Sequence, residues 1–567
     1  MRKPPGIVYA AHEAAPPGVA ALSALQHVGL NSVFLLFPVL VSREAGASPE
    51  VAASLVSVCM IVLAAGALLQ ALHRGPVGSG FLIPPVPTAA YLVPSLAAAR
   101  QGGLALVLGM TLFAGLLEIA LSRALRALRP LFPPEIVGLV VMLIALAVGA
   151  LGIRSLLGVG AAAAPGAVHY AVAAVTLGTM VALNVWTRGA LRLFCVLIGM
   201  VTGYALAALA DGFTPADRAA LAAAAWLAAP RFQHPGWAFD ASLVVPFAVG
   251  AIAATLKTAG CVMTSQKLND AGWIRADFRS IGRGVLADGV ATALAGGLGT
   301  TGVNSASSSV GLANATGVLS RNVAFWIAGI LLVLAFFPRI GILLYLMPAP
   351  VAGAALMFSA SFIFVNGLEI TASRLLDARR TFVIGLSLMA GVAVDLYPAF
   401  FADLPAGTLV VFGSSLVLGT VTALLLNLVF RVGARQTGKL AVDPASVDQA
   451  VIEDFMETQG AAWGARRDVI DRASFNLQQS IETIVASGVA NGPLEVAASF
   501  DEFNLDLRVS YDGPPLELPE QRPSNEEIMA SAEGERRLAG YLLRRYADRV
   551  SATQANGRST ILFHFDH

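Results

Sequence analysis

The sequence predicts an all-α polytopic membrane protein of about fourteen transmembrane helices, followed by a soluble C-terminal α/β domain of the α+β sandwich type. Three observations carry this. The 567 residues are 56% hydrophobic and 13% charged, with a mean hydropathy of +0.72, more apolar surface than a soluble fold needs. Apolar runs near 20 residues recur along the chain. After Lys439 the character changes, and residues 440–567 are charged and much less apolar.

Net charge is +1, so nothing points to a nucleic-acid partner. Lysine occurs only at Lys3, Lys257, Lys267 and Lys439, so arginine is the default cation. With heavy alanine use, this points to a GC-rich bacterial genome and hence to a bacterial inner membrane. Cys59, Cys195 and Cys261 all lie in apolar runs and form no disulfide framework. The N-terminal MRKPPGIVYAAHEAAPPG has no short apolar core before a cleavage site, so the first span is expected to direct insertion.

Spans begin near Val19, Val51, Leu104, Glu135, Val168 and Leu191. Between the second and third of these lies GFLIPPVPTAAYLVPSLAAA, too proline-rich for a full helix and too apolar for a loop, hence a broken span. A long loop, Asp211 to Asp240, closes the first half. The second half has runs at Ser242–Val262, Gly284–Leu298, Val323–Phe337, Ile342–Val365, Phe382–Leu396 and Thr408–Phe430, and a serine-rich broken span at Asn304–Leu319. The breaks fall third in each half, at the third and tenth spans, the pattern of 7+7 inverted repeats holding substrate between half-helix ends.

Loop charge tests the count. Basic residues cluster at the N-terminus, His73/Arg74, Arg123/Arg126/Arg129, Arg188/Arg192, Lys267 to Arg283, Arg321, Arg374/Arg379/Arg380 and Arg431/Arg435/Lys439. Those are alternate connections, while the opposite set includes Asp395 and Asp403. Both termini are therefore expected in the cytoplasm, which needs an even number of spans.

The chemistry concentrates between Ala251 and Arg321. An ionisable group or a helix break at membrane depth normally lines a cavity. Lys257 stands alone in an apolar run, and Asp288 in another. Lys257 can bind an anionic substrate such as urate or a carboxylate, or replace a coupling ion with Asp288 as partner. Alternatively it pairs with Asp288 only to hold helices together, or is neutral by desolvation. Asp288 serves coupling or helix pairing. Ser307, Ser308 and Ser309 either contact substrate or allow close helix packing. Thr88, Ala89 and Tyr91 of the first broken span are site candidates by symmetry, Tyr91 by stacking on a planar ring or by packing. His27, next to Gln26, is a proton relay or a donor to a neighbouring helix. Glu118 and Glu369 lie near span ends and read as structural.

Over roughly residues 18 to 431 the chain resembles the nucleobase–ascorbate transporter family, also called nucleobase:cation symporter-2, which includes uracil and xanthine permeases. LSALQHVGLNSVFLLFPVLV is similar to the family's Gln-His opening, with Gln26 and His27. VLADG at 285–289 matches its ninth-span aspartate, Asp288. The tenth-span signature reads Ser308-Ser309-Val310-Gly311-Leu312-Ala313-Asn314-Ala315-Thr316-Gly317, in which Gly311, Thr316 and Gly317 fit and Gly311 is the expected helix-break glycine. The family's two leading polar residues are Ser308 and Ser309 here, and its eighth-span glutamate is Lys257. The resemblance implies a fourteen-span fold with core and gate domains, a homodimer, and uptake of purines or pyrimidines coupled to H⁺ or Na⁺. An ammonium only donates hydrogen bonds where the family's glutamate accepts them.

This reading divides the chain into an N-terminal tail (1–17), a transporter domain (18–435) and a cytoplasmic domain (436–567). In the last, ASFNLQQSIETIVASG reads as an amphipathic helix, LEVAASF and LDLRVSYDG as strands joined by a turn near Asp501 to Asn504, GERRLAGYLLRRYADRVSA as a helix and STILFHFD as a last strand. The pattern resembles the histidine-kinase-like ATPase domain of anti-sigma-factor kinases. Asp512 and Gly513 match its Asp-x-Gly box, Gly534 to Leu543 its second glycine box, and Glu482 its acid. Ala486 stands where its Mg²⁺-binding asparagine belongs, and Arg536 and Arg537 replace glycines. ATP, a metal and kinase activity are not expected; a regulatory role, with a cytoplasmic protein partner, is. The expected function is secondary transport of a purine-like or related small, anionic solute by a lipid-embedded protein that is not an enzyme. The alternatives are a membrane ligand sensor signalling through this domain and an anion exchanger.

Overall fold

The computed structural model describes residues 3–128, 133–159, 164–210, 213–273, 276–372, 378–404, 412–430, 436–444, 448–463, 465, 467–501, 504–524, 528, 532–555 and 557–566. Arg129, Arg275, Arg374, Arg431, Arg435, the start of the run at 408–411 and the turn at 502–503 lie outside them, as do the side chains of Arg126 and Arg536. The chain forms two compact units, Met1–Leu426 and Asn427–His567.

The first unit is helical. α1 (Pro17–Asn31) continues through a 3₁₀ turn at Ser32–Leu35 into α2 (Leu36–Glu44), and α3 (Pro49–Ala71) starts behind the Ser48 cap, whose side chain accepts from Val51 N–H. Strand β1 (Pro85–Pro87) precedes α4 (Ala89–Leu128), which Gly102 and Gly103 break; Gly103 has φ +64°. Then come α5 (Pro134–Leu157), α6 (Ala167–Trp186), α7 (Ala190–Leu193) and α8 (Cys195–Leu209). The long loop holds α9 (Pro215–Ala223), started by a Thr214/Asp217 capping box.

The second half runs α10 (Val244–Asn269), α11 (Phe278–Leu298), β2 (Val303–Ser305), α12 (Ser307–Thr316), α13 (Val323–Ala335), α14 (Pro338–Tyr345), α15 (Ala349–Thr371), α16 (Ala378–Leu396), α17 (Pro398–Ala402) and α18 (Ser415–Phe430). The expected single run Ile342–Val365 is two helices. Pro338 starts α14, bent by 76° from α13, and Pro348 and Pro350 flank the start of α15. Among the described residues seven helical stretches are long and apolar enough to cross a membrane, or eight if α13 and α14 make one span.

Two features fix the unit's interior. First, β1 and β2 pair antiparallel and buried, with Pro85 opposite Ser305, Val86 opposite Asn304 and Pro87 opposite Val303. The prolines lack N–H groups, so the ladder is completed by Thr88 N–H to Gly302 O at 3.2 Å and Ala306 N–H to Pro84 O at 3.2 Å. Second, α5 and α15 cross with backbones in contact. A Cβ on Gly138 would fall 2.5 Å from Gly367 O, and one on Gly353 2.8 Å from Gly152 O. The two glycine pairs sit about four turns apart, so only glycine admits this approach along the crossing.

The N-terminal segment is strapped to the end of α12. Val8 and Tyr9 donate to Gly317 O at 2.8 and 3.0 Å, Leu319 donates to Tyr9 O at 2.8 Å, and Ala11 donates to Asn269 Oδ1 at 2.7 Å. Lys3 beside Glu13, with the Ala10 N–H, holds the Glu13 carboxyl below the usual range.

The second unit is a five-stranded antiparallel sheet in the order β3 (Gln436–Val442), β4 (Leu494–Phe500), β5 (Asn504–Asp512), β7 (Arg558–Asp566), β6 (Arg549–Ala555). Alternate strand residues, among them Leu507, Val509 and Phe563, form one core with Met456 of α19 (Gln449–Trp463), Leu477 and Ile481 of α20 (Arg467–Ala486), and Leu543 of α21 (Ala532–Tyr546). At the expected nucleotide box, Gly513 has φ +149°, and a Cβ there would fall 1.8 Å from Val489 O. Asp512 O accepts from Asn491 N–H at 2.7 Å, so this turn is locked by backbone. The Glu482 carboxylate is held by Gln449 and by Gln479 at 3.0 Å. Gly534 is buried in α21.

Gly138→Val places its side chain against Gly367 and Thr371 and is expected to cost at least about 1–3 kcal/mol. The check is the unfolding temperature of the detergent-solubilised protein; an unchanged value would show that α5 and α15 do not touch backbone to backbone.

Candidate functional site

The two interrupted segments bring two helix starts to one place. The first half of α4 begins just after β1 and α12 just after β2, so the free N–H groups of both lie beside the paired strands. Thr88 is buried, and its hydroxyl accepts from Ala90 N–H at 3.3 Å; Ala89 is buried in the first turn.

Asp288 of α11 lies beneath this junction, wholly buried. Its Oδ1 accepts from Gln70 Nε2 at 2.8 Å. Its Oδ2 accepts from Thr258 Oγ1 at 2.5 Å, Ser305 N–H at 2.8 Å and Asn304 Nδ2 at 3.2 Å. Four donors from α3, α10 and β2 thus converge on one buried carboxyl group and satisfy its oxygens. Gln70 also donates to Gly284 O at 2.8 Å, and Asn304 to Ala254 O at 2.9 Å.

Lys257 precedes Thr258 on α10. Thr258 faces Asp288, so the neighbouring side chain leaves the helix about 100° further round. Lys257 is half-buried, and among the described residues it makes no ion pair with Asp288. The helix-holding pair that the sequence left open is therefore absent here; Thr258 and the amides fill that place.

Ser308 and Ser309 meet a residue that the sequence reading passed over. Ser308 Oγ donates to Asn31 Oδ1 at 2.9 Å, and Asn31 Nδ2 donates to Ser309 Oγ at 2.8 Å. Asn31 ends α1, so this amide joins the first span to the start of α12. Ser307 is the first residue of α12 and half-buried. Gly311 lies inside α12 with helical backbone rather than at the break; the helix ends at Gly317, with φ +70°. His27 is fully buried with no partner on either ring nitrogen among the described residues, and Gln26 beside it is half-buried.

Tyr91 offers no free ring face. It stacks on Phe247 at 6.4 Å between centroids, and a Cβ on Gly302 would fall 2.4 Å from its ring. Its hydroxyl donates to Glu118. Glu118, expected near a span end, is wholly buried within α4, whereas Glu369 is exposed near the end of α15. Gln70, Thr258, Asn304 and Asn31 were the missed residues, and Glu118 was read as structural. Their signal was a lone polar group inside an apolar run, the criterion that singled out Lys257 and Asp288.

Apolar helices of spanning length, with two interrupted segments meeting over a buried carboxylate, define a multi-pass membrane protein. The chain belongs to the xanthine/uracil permease family: that Permease family matches residues 19–400. It is 27% identical over 449 residues to the xanthine permease XanQ of Escherichia coli, covering 76% of this chain and 96% of XanQ. It is 25% identical over 416 residues to the uric acid permease PucJ of Bacillus subtilis, covering 72% of this chain and 91% of PucJ. The fold is also similar to that of SLC26A9, with TM-score 0.50, 11% identity, and coverage of 74% of this chain and 67% of that one.

Asp288→Asn turns one carboxylate oxygen into a donor facing donors. It is expected to destabilise the protein by about 1–3 kcal/mol or more, read as a lower unfolding temperature in detergent. A variant as stable as wild type would show that Asp288 does not organise the junction.

Proposed function

We propose that this chain is a secondary-active permease for purines, with an anionic purine such as urate preferred over neutral bases. Lys257 carries the reading: it places a lysine with no ion pair among the described residues on the helix where the family resemblance puts a hydrogen-bond-accepting glutamate. The names of XanQ and PucJ span a neutral and an acidic purine, which supports the substrate class. The two helix starts beside β1 and β2 suit carbonyl or anionic atoms. Ser307 to Ser309, Thr88 and Ala89 then line the substrate, with Gln26 and His27 nearby. The family match favours transport over ligand sensing.

On this reading the chain crosses the inner membrane fourteen times as 7+7 inverted repeats, with both termini in the cytoplasm, and works as a homodimer. The segments carrying Lys257, Asp288, α12 and the start of α4 form a core that moves against a gate containing α5 and α15. The C-terminal unit regulates the permease or binds a cytoplasmic protein without ATP, because the Gly513 turn and Glu482 are both engaged internally.

Two measurements test this. In a binding series of urate, xanthine and uracil, wild type is expected to prefer urate, and Lys257→Glu to reverse that preference by about tenfold or more, about 1.4 kcal/mol. An unchanged order would remove Lys257 from the site. Mg-ATP is expected to leave the unfolding of the full chain unshifted; a rise in unfolding temperature would restore nucleotide binding to the C-terminal unit.

A further inference from the structure

Asp288 and Glu118 share the interior of the membrane unit, and their surroundings are opposite. Asp288 accepts from four donors. Glu118 accepts from one, the Tyr91 hydroxyl on Oε1, while its Oε2 is buried with no partner among the described residues. Glu135 also keeps an unpartnered oxygen, but Arg380 faces it at 3.3 Å. Among the described residues no cation reaches Glu118.

A bare buried carboxylate oxygen is costly, and a proton removes the cost. Asp288 adds to it. Gly289, the next residue on α11, packs on Glu118: a Cβ there would fall 3.0 Å from Glu118 Cβ. Two like charges so placed do not both ionise readily, and Asp288 is the one supplied with donors. The titratable groups facing Glu118 are Tyr91 on the first half of α4 and Asp288 on α11; α10 contributes Phe247 and Gly250, which enclose the Tyr91 ring.

We propose that Glu118 is a proton-binding site of this permease, and that Tyr91 passes its protonation state to the two interrupted segments. One proton from the aqueous side adds to Oε2 to give the neutral acid, and the same proton leaves as the site changes its access. Tyr91 suits the relay because it stands in the first turn after β1, and its ring is wedged against Gly302, just before β2, and Gly250 of α10. Any change in its hydrogen bond to Glu118 is felt at both strands and on the helix that carries Lys257. Proton coupling thereby rests on a carboxyl outside the substrate site, which leaves Lys257 free to read the solute. The proposal depends on the transport reading above.

The test uses the full chain in proteoliposomes with radiolabelled urate and xanthine. Exchange of internal for external solute is measured beside accumulation driven by an imposed pH gradient. Glu118→Gln keeps an acceptor for Tyr91 but cannot gain or lose the proton. Its gradient-driven accumulation, taken relative to its own exchange rate, is expected to fall about tenfold or more from the wild-type ratio, with Glu118→Asp recovering part of it. A wild-type ratio in Glu118→Gln overturns the proposal. If Glu118→Gln does not fold, Tyr91→Phe decides: removing the one donor is expected to move the pH profile of driven uptake by about one unit, and an unmoved profile overturns it. Absence of exchange in wild type would instead sink the transport reading itself.

Discussion

The convergence of donors on Asp288 is what holds the interior together. β2 is three residues long and pairs only with a strand flanked by prolines, so its ladder alone is weak. The Asp288 carboxyl supplies what the ladder lacks, since it accepts the Ser305 N–H directly and the Asn304 amide beside it. Gln70 and Thr258 extend the same anchor to α3 and α10. Two half-helices can then start in the protein interior without stranding their backbone groups in a lipid-like medium.

The helical parts were legible in the sequence because the bilayer imposes a length and a polarity that composition records. The proline-rich and serine-rich interruptions were legible for the same reason: neither continues a helix, yet both are too apolar for a loop. What the sequence did not show was partnership. Lys257 and Asp288 are each conspicuous alone, and conspicuous opposite charges invite pairing. The structure instead gives Asp288 to Thr258, the adjacent residue, a difference of one helical step that no hydropathy pattern reports. Asn31 was harder still, since it is one polar residue whose meaning depends on Ser308, 277 residues along the chain. Gly311 was misread because a glycine in a motif says nothing about its φ.

The C-terminal unit shows the same division. Its strands and helices follow from alternation and amphipathic spacing, and the sheet places them on one core. The role of Asp512 and Gly513 needed coordinates. Gly513 is a glycine because Val489 O occupies the space a side chain would need, a backbone reason that holds with no phosphate present.

The N-terminal strap has a consequence for biogenesis. Ala15 and the Ser320 hydroxyl that it meets are 305 residues apart in the chain. The residues made first therefore wait for more than half of the protein before their partners exist. Contacts of such sequence separation form late and slowly. The end of α12 is sealed only after the chain has been synthesised past Ser320, which leaves earlier intermediates open at that end.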